Sequence, residues 1–259
     1  MKSLYEMNPS EILTAKKYSG CVFIPISPCY EWHSFHLPVG TDALISERIC
    51  ELVAEKIGGV YFKALSLGVD AIRSESQLLQ WGFKKNAKIF GMNFPEISFF
   101  SEYCTKKEMV IIINNRLRAV KETGFKIAFI VNNHGGVGQQ QILEKICSKW
   151  NSKNFKVEYI STGKFCTINN CSLNIGGHAG LSETHRLMAF RPDLVDIVKL
   201  PKNNLKVCKT GILHNKPMIE EQYHPKNVSK TLSANLRENI INNFVTYIQK
   251  NYFHQKKAI

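Results

Sequence analysis

Cys21-Val22-Phe23-Ile24-Pro25-Ile26 is a short, continuous apolar run, and the later segment Asp42 to Ile57 carries apolar residues at helical spacing up to Gly58-Gly59. The first reads as a buried strand and the second as an amphipathic helix with its stop signal. The same alternation recurs downstream. Val60 to Ser66 is a weaker strand, Glu108 to Thr123 a helix before the Gly124 turn, and Phe125 to Val131 a strand. Gln139 to Trp150 is a helix, Phe155 to Ile160 a strand, and Ser182 to Ala189 a short helix ending before Arg191-Pro192; a polar helix from Leu232 to Lys250 closes the chain. Strands alternating with helices predict a mainly parallel central sheet flanked by helices on both faces, an α/β three-layer sandwich. With no internal repeat, low-complexity linker or composition break, residues 1–259 are expected to form a single domain.

Composition narrows the function classes. The chain has 259 residues, 44% of them hydrophobic and 10% aromatic, enough for a substantial core. No run approaches the roughly 18 apolar residues of a membrane span, and Met1 to Lys17 lacks the apolar stretch of a signal peptide, so a soluble, cytoplasmic protein is expected. The net charge of +13 raises the question of a polyanionic partner. Lysines dominate it and are dispersed in pairs such as Lys16-Lys17, Lys84-Lys85, Lys106-Lys107 and Lys256-Lys257, with no basic helix face or aromatic-interleaved motif. That distribution argues against nucleic acid and for a solvated lysine surface with a weak pull on anionic substrates. Eight scattered cysteines, none in a Cys-x-x-Cys pair, predict free thiols rather than a disulfide framework. Cys29, near Glu31, has no local sequence that would activate a thiolate.

Between the first strand and its helix lies Glu31-Trp32-His33-Ser34-Phe35-His36-Leu37-Pro38-Val39-Gly40-Thr41-Asp42. Two carboxylates and two imidazoles within one loop are the donor set of Zn²⁺, Mn²⁺ or Fe²⁺, unlike the thiolates of iron–sulfur clusters or the all-oxygen cages of Ca²⁺. In open α/β sheets such loops, at the carboxyl ends of strands, are where sites assemble. Glu31 and His33 follow the first strand, and His134 follows the strand Phe125 to Val131. Pro28 and Pro38 keep the loop from being helical, so Glu31 and His33 can project to one side of an extended chain. Each residue also has a plainer reading. Asp42 can N-cap the helix beside it, Glu31 and His33 can be surface polar residues, His134 can belong to the turn at Gly135-Gly136, and Glu183 can complement a helix dipole. His36 reads as a residue that orients a ligand rather than one itself. His185, His214, His224 and His254 read as structural or surface residues.

Three segments occur in order: Glu31-x-His33-x-x-His36-Leu37-Pro38-x-Gly40-Thr41-Asp42, then Asn133-His134-Gly135-Gly136, then Gly177-His178-Ala179-Gly180-x-x-Glu183-Thr184. Together with Arg191-Pro192-Asp193-Leu194-Val195 they resemble the creatininase family of metal-dependent amidohydrolases, a resemblance that runs from Cys21 to Val195. It implies a creatininase-like sandwich in which Glu31, His33, Asp42 and His134 bind one or two divalent transition ions, with Asp42 bridging. Creatinine-hydrolysing members carry a further Glu two residues after the histidine matching His134, where this chain has Gly136, and Glu183 is then the best fifth ligand. His178 matches the histidine that transfers a proton beside the substrate. A homohexamer is implied as well.

The chemistry asks for these groups on its own terms. A carboxylate-bridged ion pair lowers the pKa of bound water towards ~7 and polarises the scissile carbonyl, and a nearby imidazole carries the proton to the departing nitrogen. The chain also departs from the family: Trp32 and Ser34 stand for Gln and Gly, Pro28 for Gly and Val137 for Asn. Phe94-Pro95-Glu96-Ile97 stands for a segment that normally has a Glu-His pair before Phe-Pro-Gly-Thr. The reading is a hydrolase of an amide C–N bond in a small molecule or peptide, with a substrate other than creatinine. Formamide or precursor-peptide cleavage in a biosynthetic pathway, or a non-catalytic binding protein that keeps the fold, are the alternatives.

Overall fold

A computed structural model of the chain describes residues 1–69, 73–166, 177–202, 206–213 and 220–253. Helix α1 (Pro9–Tyr18) leads to strand β1 (Cys21–Ser27), helix α2 (Thr41–Ile57), the two-residue strands β2 (Val60–Tyr61) and β3 (Leu65–Ser66), and helix α3 (Glu75–Gln80). There follow α4 (Lys106–Thr123), β4 (Ile127–Asn132), α5 (Val137–Trp150), β5 (Lys156–Ser161), α6 (Leu181–Phe190), the short α7 (Val207–Thr210) and α8 (Lys230–Ile248). The strands pair in the order β2-β1-β4-β5, with β3 also on β1, and every strand pairing is parallel.

The alternation of side chains along each strand builds the layers. Cys21 and Phe23 of β1 and Phe129 and Val131 of β4 face one side, where Ile45, Ile49 and Val53 of α2 and Leu236, Ile240 and Phe244 of α8 cover them. Val22, Ile24, Ala128 and Ile130 face the other, against Met109, Ile113 and Leu117 of α4 and Leu143 and Ile146 of α5. This is the expected three-layer sandwich, and β1 and β4 are buried along their whole length. The last helix is less polar than its sequence suggests: Leu236, Ile240, Ile241, Phe244 and Ile248 are buried in the core.

The weaker strand expected over Val60 to Ser66 is split. Val22 pairs with Val60 and Phe23 with Tyr61, but Ile26 pairs with Leu65, so the partner carries one extra residue across the gap. Pro25 sits at that gap, and its missing N–H accounts for an interrupted ladder. Helices α1 and α3 were not anticipated, although both open on capping boxes, Asn8 with Glu11 and Ser74 with Gln77.

A satellite cluster of Leu78, Ile89, Met92, Phe94, Val207 and Leu213 packs with Trp32 above the carboxyl ends of the strands. Cys21, Cys29, Cys50, Cys104, Cys147, Cys166 and Cys208 are free, and burial pushes the Cys29 thiol up, away from activation. Among the described residues no helix is long and apolar enough to cross a membrane. Cys171, His214 and His254 lie outside the described residues.

Candidate metal centre

The loop after β1 returns on itself through the Glu31 N–H, which donates to the Val39 carbonyl at 3.0 Å. Glu31 and His33 are 0% and 1% exposed, which removes the surface reading of both. Glycine at 40 occupies the N-cap of α2 without a side-chain cap, so Asp42 in the first turn is not a capping residue. Its carboxylate instead accepts from Asn133 Nδ2 at 2.6 Å on Oδ1 and faces His134 Nδ1 at 3.2 Å on Oδ2.

The other side chains converge on the same point. His134 Nδ1 is 3.7 Å from Glu31 Oε2, and His33 Nε2 is 3.6 Å from Glu31 Oε2 and 3.9 Å from Glu183 Oε2. His33 Nδ1 lies 3.1 Å from the Glu31 carbonyl, which can only accept. Nδ1 therefore carries a proton and Nε2 is the atom turned towards the cluster, where, against burial, the Glu31, Glu183 and Asp42 carboxylates raise the imidazole above its ordinary range. Glu183 lies in the first turn of α6 and accepts from the Ala179 N–H at 2.5 Å. Its position is that of a dipole-complementing acid, yet its carboxylate also reaches the cluster.

His178 Nε2 donates to the Trp32 carbonyl, leaving Nδ1 turned towards Glu183 Oε2 at 3.9 Å. The His178 backbone is held by a two-way bridge to Leu213, N–H to O at 3.0 Å and O to N–H at 2.8 Å. Gly177, with φ of +146°, makes this possible: a Cβ there would lie 2.5 Å from the Leu213 carbonyl oxygen. Among the described residues, Ser34 (φ 62°) and Ala179 (φ 52°) are the non-glycine residues with left-handed backbone, one in each ligand loop, at a cost of about 1–2 kcal/mol apiece.

Within the cluster, three sets of donor atoms lie close enough to share an ion: Glu31, Asp42 and His134; His33, Asp42 and Glu183; and Glu31, His33 and His178. The first two share Asp42. Two buried atoms, Glu31 Oε2 and His33 Nε2, have no hydrogen-bond partner. Buried polar atoms left without partners in a dry site are costly, and a cation between these two would satisfy both, so the donor set fits a divalent ion.

Electrostatics point the same way. Burial pushes Glu183 up to about 7, helped by the Asp42 carboxylate. Burial opposes the charged form of His134 too, yet Glu31 and Asp42 overcome it and lift the imidazole to about 9. Protonated His134 thus supplies the positive charge that three crowded carboxylates demand. Burial and neighbouring His33 hold His178 well below the ordinary imidazole range.

A second layer fixes the first. Thr162 donates to Asn133 Oδ1 at 2.5 Å, and Gln139 and the His134 N–H donate to Asn132 Oδ1 at 3.0 and 3.1 Å. Tyr103 donates to Glu31 Oε1 and is pushed above its ordinary range by burial and that carboxylate. Sequence reasoning missed Tyr103, which lies in an irregular stretch without a motif. His36 orients no donor directly: Nε2 bonds Thr184 Oγ1 at 2.9 Å, tying the loop to the residue after Glu183. His185 bonds Ser233 at 2.9 Å and His224 accepts from the Lys226 N–H at 3.0 Å, both structural as expected. Gly136 offers no donor, and a Cβ there would lie 2.8 Å from His134 Nε2.

The sequence profile of the creatininase family, described as creatinine amidohydrolase, matches residues 90–229. The chain belongs to the creatininase family. The matched span contains His134, His178 and Glu183, while the loop from Glu31 to Asp42 lies before it. Solved creatininase structures share the fold throughout. One of creatinine amidohydrolase is 18% identical with a TM-score of 0.68, covering 98% of this chain and 99% of that one. A mutant creatininase of the Zn–Zn type is 18% identical with a TM-score of 0.69, covering 98% and 100%. A manganese creatininase is 16% identical with a TM-score of 0.67, covering 97% and 100%. No curated protein matches the sequence significantly. Membership places this creatininase-family chain among the metal-dependent amidohydrolases.

Proposed function

We propose that the protein hydrolyses an amide C–N bond in a small molecule or peptide other than creatinine, using two divalent transition ions. Glu31, Asp42 and His134 would hold one ion and His33, Asp42 and Glu183 the other, with Glu183 in place of the carboxylate absent at Gly136. The observation that carries this is the pair of donor sets sharing Asp42, with zinc and manganese bound in the fold's solved relatives. Bound there, such ions supply an acidified water and a polarised carbonyl.

The chain's own residues do the rest. Tyr103 holds one oxygen of Glu31 so that the other faces the cluster. Asn133 does the same for Asp42. His178, neutral and fixed through Nε2 on the Trp32 carbonyl, has Nδ1 free to accept a proton and return it to the leaving nitrogen. Trp32, whose ring packs 5.2 Å from Phe35 and 5.5 Å from Phe99, stands where the family resemblance has Gln, and this supports a different substrate.

Metal analysis of chelator-free protein should give one to two equivalents, with hydrolysis of at least one member of a panel of formamides, lactams and short peptides. Asp42→Ala should lose most of the metal and activity, because one ligand serves both ions; full occupancy in that variant rejects the assignment. Formamide and precursor-peptide cleavage fall within the same chemistry, and a metal-bearing protein inert to the whole panel would favour the binding-protein reading. We further propose a single domain assembled as a homohexamer, which light scattering at micromolar concentration tests. A mass near the 29.5 kDa of one chain would exclude it.

A further inference from the structure

Arg186 lies three residues after Glu183 on α6, hence on the adjoining part of the same helix face. It is half-buried. Its guanidinium reaches towards the carboxyl end of β5: Nη2 lies 4.0 Å from where a Cβ on Gly163 would be. It also lies against the Cys166 thiol, whose ionisation it favours without overcoming burial. Gly163 follows Thr162, which bonds Asn133, which in turn bonds Asp42. Arg186 therefore lies at the carboxyl end of β5, the edge from which Thr162 and Asn133 support Asp42.

No carboxylate lies within ion-pair distance of this arginine among the described residues, and its Nε is buried without a hydrogen-bond partner. A neutral thiol is a weak acceptor and leaves the charge unbalanced. A donor N–H buried without a partner is costly, and the planar guanidinium fork matches the paired oxygens of a carboxylate or phosphate. We infer that Arg186 forms an anion-recognition subsite beside the metal centre, so that the amide substrate carries a carboxylate or phosphate group. This rests on the amidohydrolase reading and adds its substrate class.

The test is equilibrium binding, read by ligand-observed NMR on metal-replete protein, of matched neutral and anionic amides. Acetanilide against 4-acetamidobenzoate probes the carboxylate, and 4-acetamidophenol against 4-acetamidophenyl phosphate the phosphate. Wild-type protein should bind at least one anionic member about tenfold or more tightly than its neutral partner, and which one identifies the group. Arg186→Gln should abolish that preference with metal content and neutral-probe binding unchanged, and Arg186→Lys should restore part of it.

Gly163→Asp gives a second arm that leaves Arg186 in place. Space at that position accepts a side chain, and a carboxylate there would neutralise the guanidinium and remove the preference with no loss of melting temperature. An anion preference that survives both Arg186→Gln and Gly163→Asp overturns the subsite, as does a wild-type protein with no preference. Because binding is read without turnover, an Arg186-dependent preference in a protein that hydrolyses no amide would reject the hydrolase reading alone.

Discussion

Glu183 and His178 stand 3.9 Å apart and are given different work, Glu183 Oε2 as a donor to the second ion and His178 Nδ1 as the proton carrier. Exchanging either for alanine separates the two roles. Glu183→Ala should lower occupancy to about one ion per chain along with the rate, since His33 and Asp42 alone make a two-donor site. His178→Ala should leave metal content nearly intact while turnover falls on the order of 10² to 10⁴. Metal analysis beside turnover on both variants decides it, and loss of metal from the His178 variant would make that residue a ligand within the set it forms with Glu31 and His33. Glu31, His33 and His134 were readable as candidate donors because they sit in loops that follow β1 and β4, whereas Asp42 and Glu183, in the first turns of α2 and α6, could be read from local sequence as helix-terminal acids and stood out through the motifs around them. Tyr103 was not legible, since its bond to Glu31 spans 72 positions of the chain and no local pattern marks it.

At the scale of elements, boundaries followed local signals and failures followed non-local ones. Helix α2 ends at Gly58, in left-handed backbone, as the glycine pair predicted. The split of the second strand depends on Pro25 in its neighbour, which periodicity within Val60 to Ser66 cannot register. Helix α1 buries no side chain fully, with only Ile12 and Ala15 packing partly against the core, so its apolar stripe is thin and its capping box was the clearer clue. His36, joining the first loop to α6, yields a prediction at this scale. Burial, with His33 nearby, pushes it down to about 3, whereas an unfolded histidine titrates near 6.5. The unfolded chain therefore binds the extra proton between those values, and stability falls as pH drops through that window. Replacing His36 with Gln should flatten the slope of unfolding free energy against pH by up to one proton between about pH 6.5 and 3 in denaturant titrations. An unchanged slope would show that His36 is not held neutral by the fold.

For the molecule as a whole, the cluster links metal content to stability. Burial lifts Glu183 to about 7 from an ordinary value of 4.5, so without metal the folded state holds a proton that the unfolded chain has released, and stability declines from pH 4.5 to about 7. His134 continues the trend. Its folded value of about 9 exceeds the unfolded 6.5, so its contribution is complete below pH 6.5 and is lost as pH rises through about 9. With metal bound, the carboxylates and imidazoles are needed in their deprotonated forms, and binding strengthens over the same range. The melting temperature of metal-replete protein should accordingly exceed that of chelated protein by an increment that grows from pH 5 to pH 9. A free ion concentration about 1,000 times the dissociation constant corresponds to about 4 kcal/mol. The comparison cancels His36, which titrates in both forms. Calorimetry at four or five pH values on paired samples measures it, and an increment that is constant or shrinks with pH would mean that the Glu183 and His134 protons are not exchanged for metal.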